Sequence, residues 1–282
     1  MKRAFIGTGL IGAGLATASI RRDDVVTVTN RTRYKTDPLK ALGARVADSP
    51  ASAVDGASFV HIALTADDAV DGVIGEILGG FPSDAVLIDH STTSPAGTAA
   101  RAKRLAGAGI PFLHAPVFMS PTACLNATGV MLAAGPRSAY NVAKDALDRM
   151  TGKVWYVGDK VDAAATLKLC GNGMILAMTA ALADAHAIAL ENGLDTAAVT
   201  ELFQQFNPTN TLKGRGQRMA DGDYNTHWSL HMARKDLGLM LDAAGERALQ
   251  VLPHIGERLD AHIADGEGDR DLGIIGQPGT RS

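Results

Sequence analysis

The sequence predicts an α/β protein with a Rossmann-type, doubly wound, mostly parallel sheet, followed by an all-α domain joined to it by a long helix. Three observations predict it. Short β-rich runs alternate with helical stretches up to about Gly158. The first run ends in a G-x-G-x-x-G turn, Gly7 to Gly12. After Gly158 the strand signals stop and Ala/Leu/Met-rich helical segments take over. The sheet domain is expected over residues 1–161 and the helical one over 162–282.

The first strand, over 3–6, is apolar and runs straight into the glycine turn. Gly7 permits a tight exit from the strand. Gly9 has no Cβ, so backbone can approach a pyrophosphate. Gly12 lets the helix over 11–21 pack close to the sheet. That helix directs unpaired N–H groups and a positive dipole end at the turn. The alternative is a secretory leader, since Met1-Lys2-Arg3 precedes a small-residue run containing Ala16-Thr17-Ala18. A β-branched strand over 25–29 at the right distance favours the nucleotide turn, because cleavage would remove the first strand of its own sheet.

The second strand ends at Asn30-Arg31-Thr32, about 20 residues beyond the turn, where NAD-binding chains carry an acid. An acid there would accept a ribose hydroxyl and repel a 2′-phosphate. Arg31 instead offers a planar fork of donors, and Thr32 adds a hydroxyl. The pattern predicts NADP as cofactor.

Further strands follow over 45–47, 59–64, 85–89, 112–115, 130–133 and 154–157. Helices are expected over 66–78, 95–107 and 139–150, with Asp67-Asp68 capping the first of them. A proline-free apolar helix covers 162–192 and stops at Gly193, with Asp195 capping its successor. Residues 201–203, 233–245 and 249–264 also read as helical. A ligand belongs at the carboxyl ends of the strands.

Lys168 and Asn172 are four apart on the long helix and share a face. On a helix otherwise this apolar, a lysine either snorkels to water or has a task. The task suited to it is proton transfer, because burial lowers its pKa toward the useful range. Lys168 would protonate a carbonyl oxygen as hydride arrives, and Asn172 would hold that oxygen or the lysine.

These segments together resemble the β-hydroxyacid dehydrogenases, a 6-phosphogluconate dehydrogenase-like group that includes 3-hydroxyisobutyrate dehydrogenase and the glyoxylate/succinic semialdehyde reductases. The resemblance runs nearly end to end. Its carriers are the glycine turn, Asn30-Arg31-Thr32, Asp89-His90-Ser91-Thr92-Thr93-Ser94-Pro95, Lys168-Leu169-Cys170-Gly171-Asn172, Lys235-Asp236-Leu237 and the late Gly266 to Asp271. It implies that Gly7, Gly9, Leu10, Ile11, Gly12, Asn30, Arg31, Thr32, Leu64, Thr92 and Lys235 bind cofactor. It implies substrate contacts at Ser91, Pro116, Val117, Phe118, Met119 and Ser120, with Lys168 and Asn172 catalytic. It also implies a homodimer or homotetramer.

The departures cluster at the substrate. The family's D-A-P-V-S-G-G is here His114-Ala115-Pro116-Val117-Phe118-Met119-Ser120, and Pro121, which has no N–H, follows. The first Asn of K-x-x-N-N is Gly171. Phe118 and Met119 bring bulk where small residues would grip a carboxylate through backbone N–H groups, so a bulkier or less acidic substrate is expected. His114 removes an acid and can add a cation near the pocket.

Other signals are weaker. A net charge of −3 over 282 residues gives no reason to expect nucleic acid. No apolar run is long and glycine-poor enough to suggest a membrane span. Cys124 and Cys170 fit no metal or disulfide pattern, read as core or near-core residues, and suit a reducing cytoplasm. His227 and His231, four apart, can share a helix face but lack a third ligand, so no metal is expected. Trp228 reads as cofactor or core packing, and Ser91 lacks the partners of a hydrolase nucleophile.

The expected activity is hydride transfer between NADP(H) and a small aldehyde, 3-oxo compound or 3-hydroxy acid. The alternatives are an imine reductase, a group that usually lacks the lysine, and a non-catalytic NADP-binding regulator.

Overall fold

The computed structural model describes residues 1–277, so positions 278–282 of the expected helical domain lie outside it. The chain divides into two compact units, Met1–Asn172 and the residues from Gly173 on.

The first unit begins β1 (Lys2–Ile6), α1 (Leu10–Ile20), β2 (Val25–Thr29), α2 (Asp37–Ala41), β3 (Arg45–Val46), α3 (Pro50–Ala53) and β4 (Phe59–Ile62). It continues through α4 (Asp67–Ile77), β5 (Val86–Asp89), α5 (Pro95–Gly107), β6 (Phe112–His114) and β7 (Val117–Phe118). It then adds α6 (Pro121–Leu125), β8 (Val130–Ala134), α7 (Arg137–Asp148) and β9 (Lys153–Gly158). The sheet runs β3-β2-β1-β4-β5-β6-β8-β7, with β9 paired to β8. Pairing is parallel from β3 through β6 and for β8 with β9, and antiparallel where β8 meets β6 and β7.

The segment that resembled a leader is the interior of this fold. β1 lies between β2 and β4, and Leu15 and Ala16 of α1 are buried against the sheet. One sheet face is covered by α1 and by Ala139, Tyr140, Ala143 and Leu147 of α7. The other is covered by Val70, Ile74 and Ile77 of α4 and Leu105 of α5. Strands buried on both faces are mostly apolar, which is why β4, β5 and β6 read so clearly despite His61, Asp89 and His114. β7 was not expected, because two residues leave no period to recognise.

A single helix, α8 (Asp162–Glu191), starts in the first unit and continues into the second. In length and apolarity it could cross a membrane, contrary to the sequence expectation. Gly171 and Gly173 break up its apolar text without breaking the helix. Its Asp184 is buried and accepts the backbone N–H groups of Gln250, Val251 and Leu252, a protein-core role. Cys170 is exposed rather than near-core, whereas Cys124 is buried and its thiol is pushed up to about 11 by that burial.

The second unit adds α9 (Thr196–Gln205), α10 (Thr209–Ala220), α11 (Leu230–Ala244) and α12 (Leu252–His262). Asp195 caps α9 by accepting the Ala198 N–H at 3.0 Å. α10 went unrecognised because Gly214 and Gly216 dilute its helical signal. Tyr224, Leu230, Leu237, Leu259 and Ile274 form the core here, with Trp228 packed against it. Asp271, the last residue of the late glycine motif, accepts the N–H groups of His227, Trp228 and Gly273 and so fastens the chain entering α11.

Candidate active site

The glycine turn takes its shape from three different constraints. Gly7 has φ +95°, a conformation that side chains avoid, and a Cβ there would come within 2.7 Å of Leu64 Cδ2. A Cβ on Gly12 would press on Ala63 Cβ at 3.1 Å, which is the close helix–strand approach. A Cβ on Gly9 would meet nothing within 4 Å, so the space above it is open. Gly9 is also the N-cap of α1 and supplies no capping side chain, and no acid lies in the first turn. The N–H groups of Leu10, Ile11 and Gly12 are therefore available to an anion.

A cavity of about 500 Å³ opens from this turn. Its lining includes Gly7, Gly9, Asn30, Arg31, Thr32 and Leu64. These six are among the residues expected to bind cofactor, whereas Leu10, Ile11, Gly12, Thr92 and Lys235 do not line the cavity; the six converge because β1 and β4 are neighbours while the helices that follow them cover opposite faces. Arg31 is exposed, and among the described residues no carboxylate pairs with it; the neighbouring Arg33 takes Asp48. Lys35 also lines the cavity and was missed, although a cation four residues after Arg31 was there to be read. Asn30 has a positioning role: its Oδ1 accepts the Thr8 N–H at 3.0 Å and its Nδ2 donates to Thr32 O at 2.9 Å. It ties the glycine turn to the loop carrying Arg31.

The Ser91-Thr92 turn is held from beneath. Ser91 is buried; its Oγ accepts the Leu64 N–H and its N–H donates to Asp89 Oδ1, both at 2.9 Å. Thr92 is exposed beside it. Asp67 was expected to cap α4, but Ala66 is the N-cap and Asp67 lies in the first turn. Its carboxylate instead accepts the Ser94 N–H at 2.9 Å and pairs with Arg101 at 2.9 Å.

His114 does not reach an open pocket. It is fully buried at the end of β6, with Nδ1 at 3.5 Å from Asp89 Oδ2, so any charge on it is balanced inside the sheet. Burial works to raise the Asp89 pKa, but its contacts with His114 and Ser91 outweigh that and hold the carboxyl below its usual range.

The expected substrate segment divides among several tasks. Pro116 and Val117 are buried, and Pro116 O accepts the Leu132 N–H. Met119 leans on the core under α1. Ser120 caps α6 by accepting the Ala123 N–H. Phe118 alone turns to Lys168, whose Nζ lies 4.1 Å from the ring centroid. Lys168 and Asn172 are half-buried on one face of α8. Among the described residues no carboxylate pairs with Lys168, and burial lowers its pKa from the ordinary 10.5.

In the second unit, Lys235 lies on α11, exposed, with Nζ at 2.7 Å from Asp236. His227 precedes α11 and only His231 is on it, so the two do not share a helix face. The described residues hold no cluster of three or more His, Cys, Asp or Glu able to bind a metal.

Comparison with known proteins agrees with this geometry. Residues 2–158 match the NAD binding domain of 6-phosphogluconate dehydrogenase. Residues 162–275 match the NAD-binding domain of NADP-dependent 3-hydroxyisobutyrate dehydrogenase. The chain is 31% identical to an uncharacterized oxidoreductase, YfjR, of Bacillus subtilis, over 98% of each chain. It is 32% identical to chloroplastic glyoxylate/succinic semialdehyde reductase 2 of Arabidopsis thaliana, covering 85% of this chain and 68% of that one. Among solved structures, the imine reductase of Myxococcus stipitatus with NADP+ superposes with a TM-score of 0.89 at 20% identity, over 98% of each chain. That likeness shows a shared fold.

Proposed function

The chain belongs to the β-hydroxyacid dehydrogenase family and is an NAD(P)-binding oxidoreductase, and from that premise we propose that it works with NADP(H), using Lys168 as proton donor and acceptor. The observation that carries the cofactor choice is the cavity joining Gly7 and Gly9 to Arg31, Thr32 and Lys35. Arg31 and Lys35, neither in an ion pair among the described residues, and the Thr32 hydroxyl suit a 2′-phosphate in a cavity that Asp48, Asp68 and Glu76 also line, and the open space at Gly9 suits a pyrophosphate. The bound dihydronicotinamide supplies hydride to a carbonyl carbon.

Lys168 Nζ gives a proton to the carbonyl oxygen, which becomes the hydroxyl of the product alcohol, and regains one from solvent; in the reverse direction it takes the alcohol proton. Asn172, one turn away, donates its amide N–H to the same oxygen. The Ser91-Thr92 turn, anchored by Asp89 and Leu64, borders the site. Substrates are small aldehydes, 3-oxo compounds or 3-hydroxy acids. The family resemblance further implies a homodimer or homotetramer, which light scattering on the purified chain tests, and the two cysteines, in no disulfide pattern, suit a cytoplasmic location.

Arg31→Asp removes a phosphate fork and adds an anion. NADPH affinity should fall by about ten- to a hundredfold, the size of a lost charge-assisted contact, while NADH affinity changes little. Equal losses in titrations with both cofactors refute Arg31 as selector. Lys168→Ala should lower turnover by about 10²-fold or more with NADPH binding retained. Carbonyl reduction needs the ammonium form, so the wild-type rate should fall as pH rises through a value below 10.5, and the variant should lose that limb. An unchanged profile means the proton comes from elsewhere. A panel pairing aldehydes with cyclic imines separates the imine reductase reading, and no NADPH consumption with any of them leaves a cofactor-binding regulator.

A further inference from the structure

Gly171 is a glycine whose own backbone does not require it. It lies inside α8 with ordinary helical geometry, where alanine is favoured over glycine by about 1 kcal/mol. What excludes a side chain is Phe118. A methyl at position 171 would come within 2.6 Å of Phe118 Cε1, closer than real side chains approach. Gly173, two residues on, has open space where its methyl would be. So Gly171 is a notch cut for one ring.

That ring is held firmly. Phe118 pairs across the sheet with Val130 and packs against the buried cluster of Leu132, Ala134 and Ala164. Its face is turned to Lys168 Nζ at 4.1 Å, so the ammonium rests on the electron-rich side of the ring. The chain beyond it has few donors for an anion. Pro121 has no N–H, and the Ala123 N–H is already given to Ser120 Oγ. A carboxylate beside Lys168 would face a π-cloud instead of a nest of N–H groups, whereas a flat apolar group would gain ring contact.

We propose that Phe118 and Gly171 are a coupled specificity pair that seats Lys168 against an aromatic wall, so that the group next to the reacting carbonyl is flat and uncharged, an aryl or conjugated substituent, and not a carboxylate. This rests on the reading of Lys168 as proton donor. The reaction is unchanged in balance: hydride from NADPH to the carbonyl carbon, a proton from Lys168 to the oxygen.

The test is a double-mutant cycle with NADPH, comparing benzaldehyde and cinnamaldehyde with succinic semialdehyde for wild type, Phe118→Ser, Gly171→Ala and the double variant. Wild type should favour the aromatic aldehydes by tenfold or more in kcat/KM. Gly171→Ala should remove most of that preference by pushing the ring aside, and should add little once Phe118→Ser is present. Melting temperature gives a readout independent of turnover. Gly171→Ala should lower it with Phe118 in place and raise it in the Phe118→Ser background, and Gly173→Ala should raise it in both. A preference for succinic semialdehyde, no turnover of either class by wild type, or a neutral Gly171→Ala overturns the pair. Loss of the Lys168→Ala effect with the cycle intact overturns the proton-donor reading alone.

Discussion

The two units handle buried polar groups in opposite ways. Up to Asn172, ionisable side chains sit inside the sheet. Arg3 pairs with Asp24 at 2.7 Å, His61 Nδ1 meets His90 Nε2 at 3.0 Å, and Arg101 meets Asp67 and Asp71. His61 also stacks on the ring of Phe5, with centroids 4.6 Å apart. From Gly173 on, the buried carboxylates Asp184 and Asp271 serve backbone N–H groups around α12 and α11, and Asp271 alone also has guanidinium groups near it, Arg218 at 3.7 Å and Arg215 at 3.9 Å. A doubly covered sheet has no wet face on which its strands can place a polar side chain, so the sheet unit must pair those groups internally. A helix leaves unpaired N–H groups at its start, and a carboxylate satisfies them locally. The difference teaches that the first unit depends mainly on charge balance and the second mainly on backbone capping, with Asp67, Asp89 and Asp271 doing both.

The comparison is broken most directly at Arg101. Arg101→Ala leaves Asp89 buried without its nearby guanidinium, frees Asp67 and leaves Asp71 to Arg104 alone, so it should destabilise the first unit by about 3–5 kcal/mol. Chemical denaturation followed by Trp155 fluorescence and hydrogen exchange checks it. A loss no larger than that of an exposed arginine would mean the pairs are ornamental.

Acid sharpens the comparison. Burial, helped for His61 by His90 and Arg3, lowers His61 well below 6.5 and lowers His90 to about 4. Both are neutral when folded and bind protons more readily when unfolded. Their contribution is whole above pH 6.5 and lost as pH falls toward about 4, costing about 3 kcal/mol for His90. Asp184 behaves differently: burial raises its pKa, but three backbone donors prevail and hold it below 3.8. Its contribution stays whole above pH 3.8 and fades only below. Hydrogen exchange should therefore show β4 and β5 opening before α12 as pH drops from 6.5 to 4, and simultaneous opening contradicts the distinction.

The smallest effect belongs to the caps. Asp195→Ala removes one acceptor from the start of α9 and should cost about 1 kcal/mol, with faster exchange confined to that helix. If protection in β1 falls as well, capping is not local.

Much of this protein was legible because its signals are short-range. The glycine turn, Arg31 at the end of β2, Asp195 at a helix start and Lys168 with Asn172 one turn apart each depend on residues adjacent in the chain or one helical turn away. Strand 25–29 and helix 95–107 emerged with the boundaries read from composition, since alternation and proline or glycine mark them locally. The site was less legible where residues meet across the fold. No local pattern showed that the Ser91 Oγ accepts the N–H of Leu64 from another strand end. By sequence His114 can add a cation near the pocket, and only the structure shows it buried and facing Asp89 on the neighbouring strand. The sequence by itself determined the fold class, the family and the nucleotide turn, because periodicity and φ preference are written residue by residue. Only the tertiary structure decided that Gly171 exists for Phe118 and that Phe118 covers Lys168, because contact between residues far apart in the chain follows from packing, which no local pattern records.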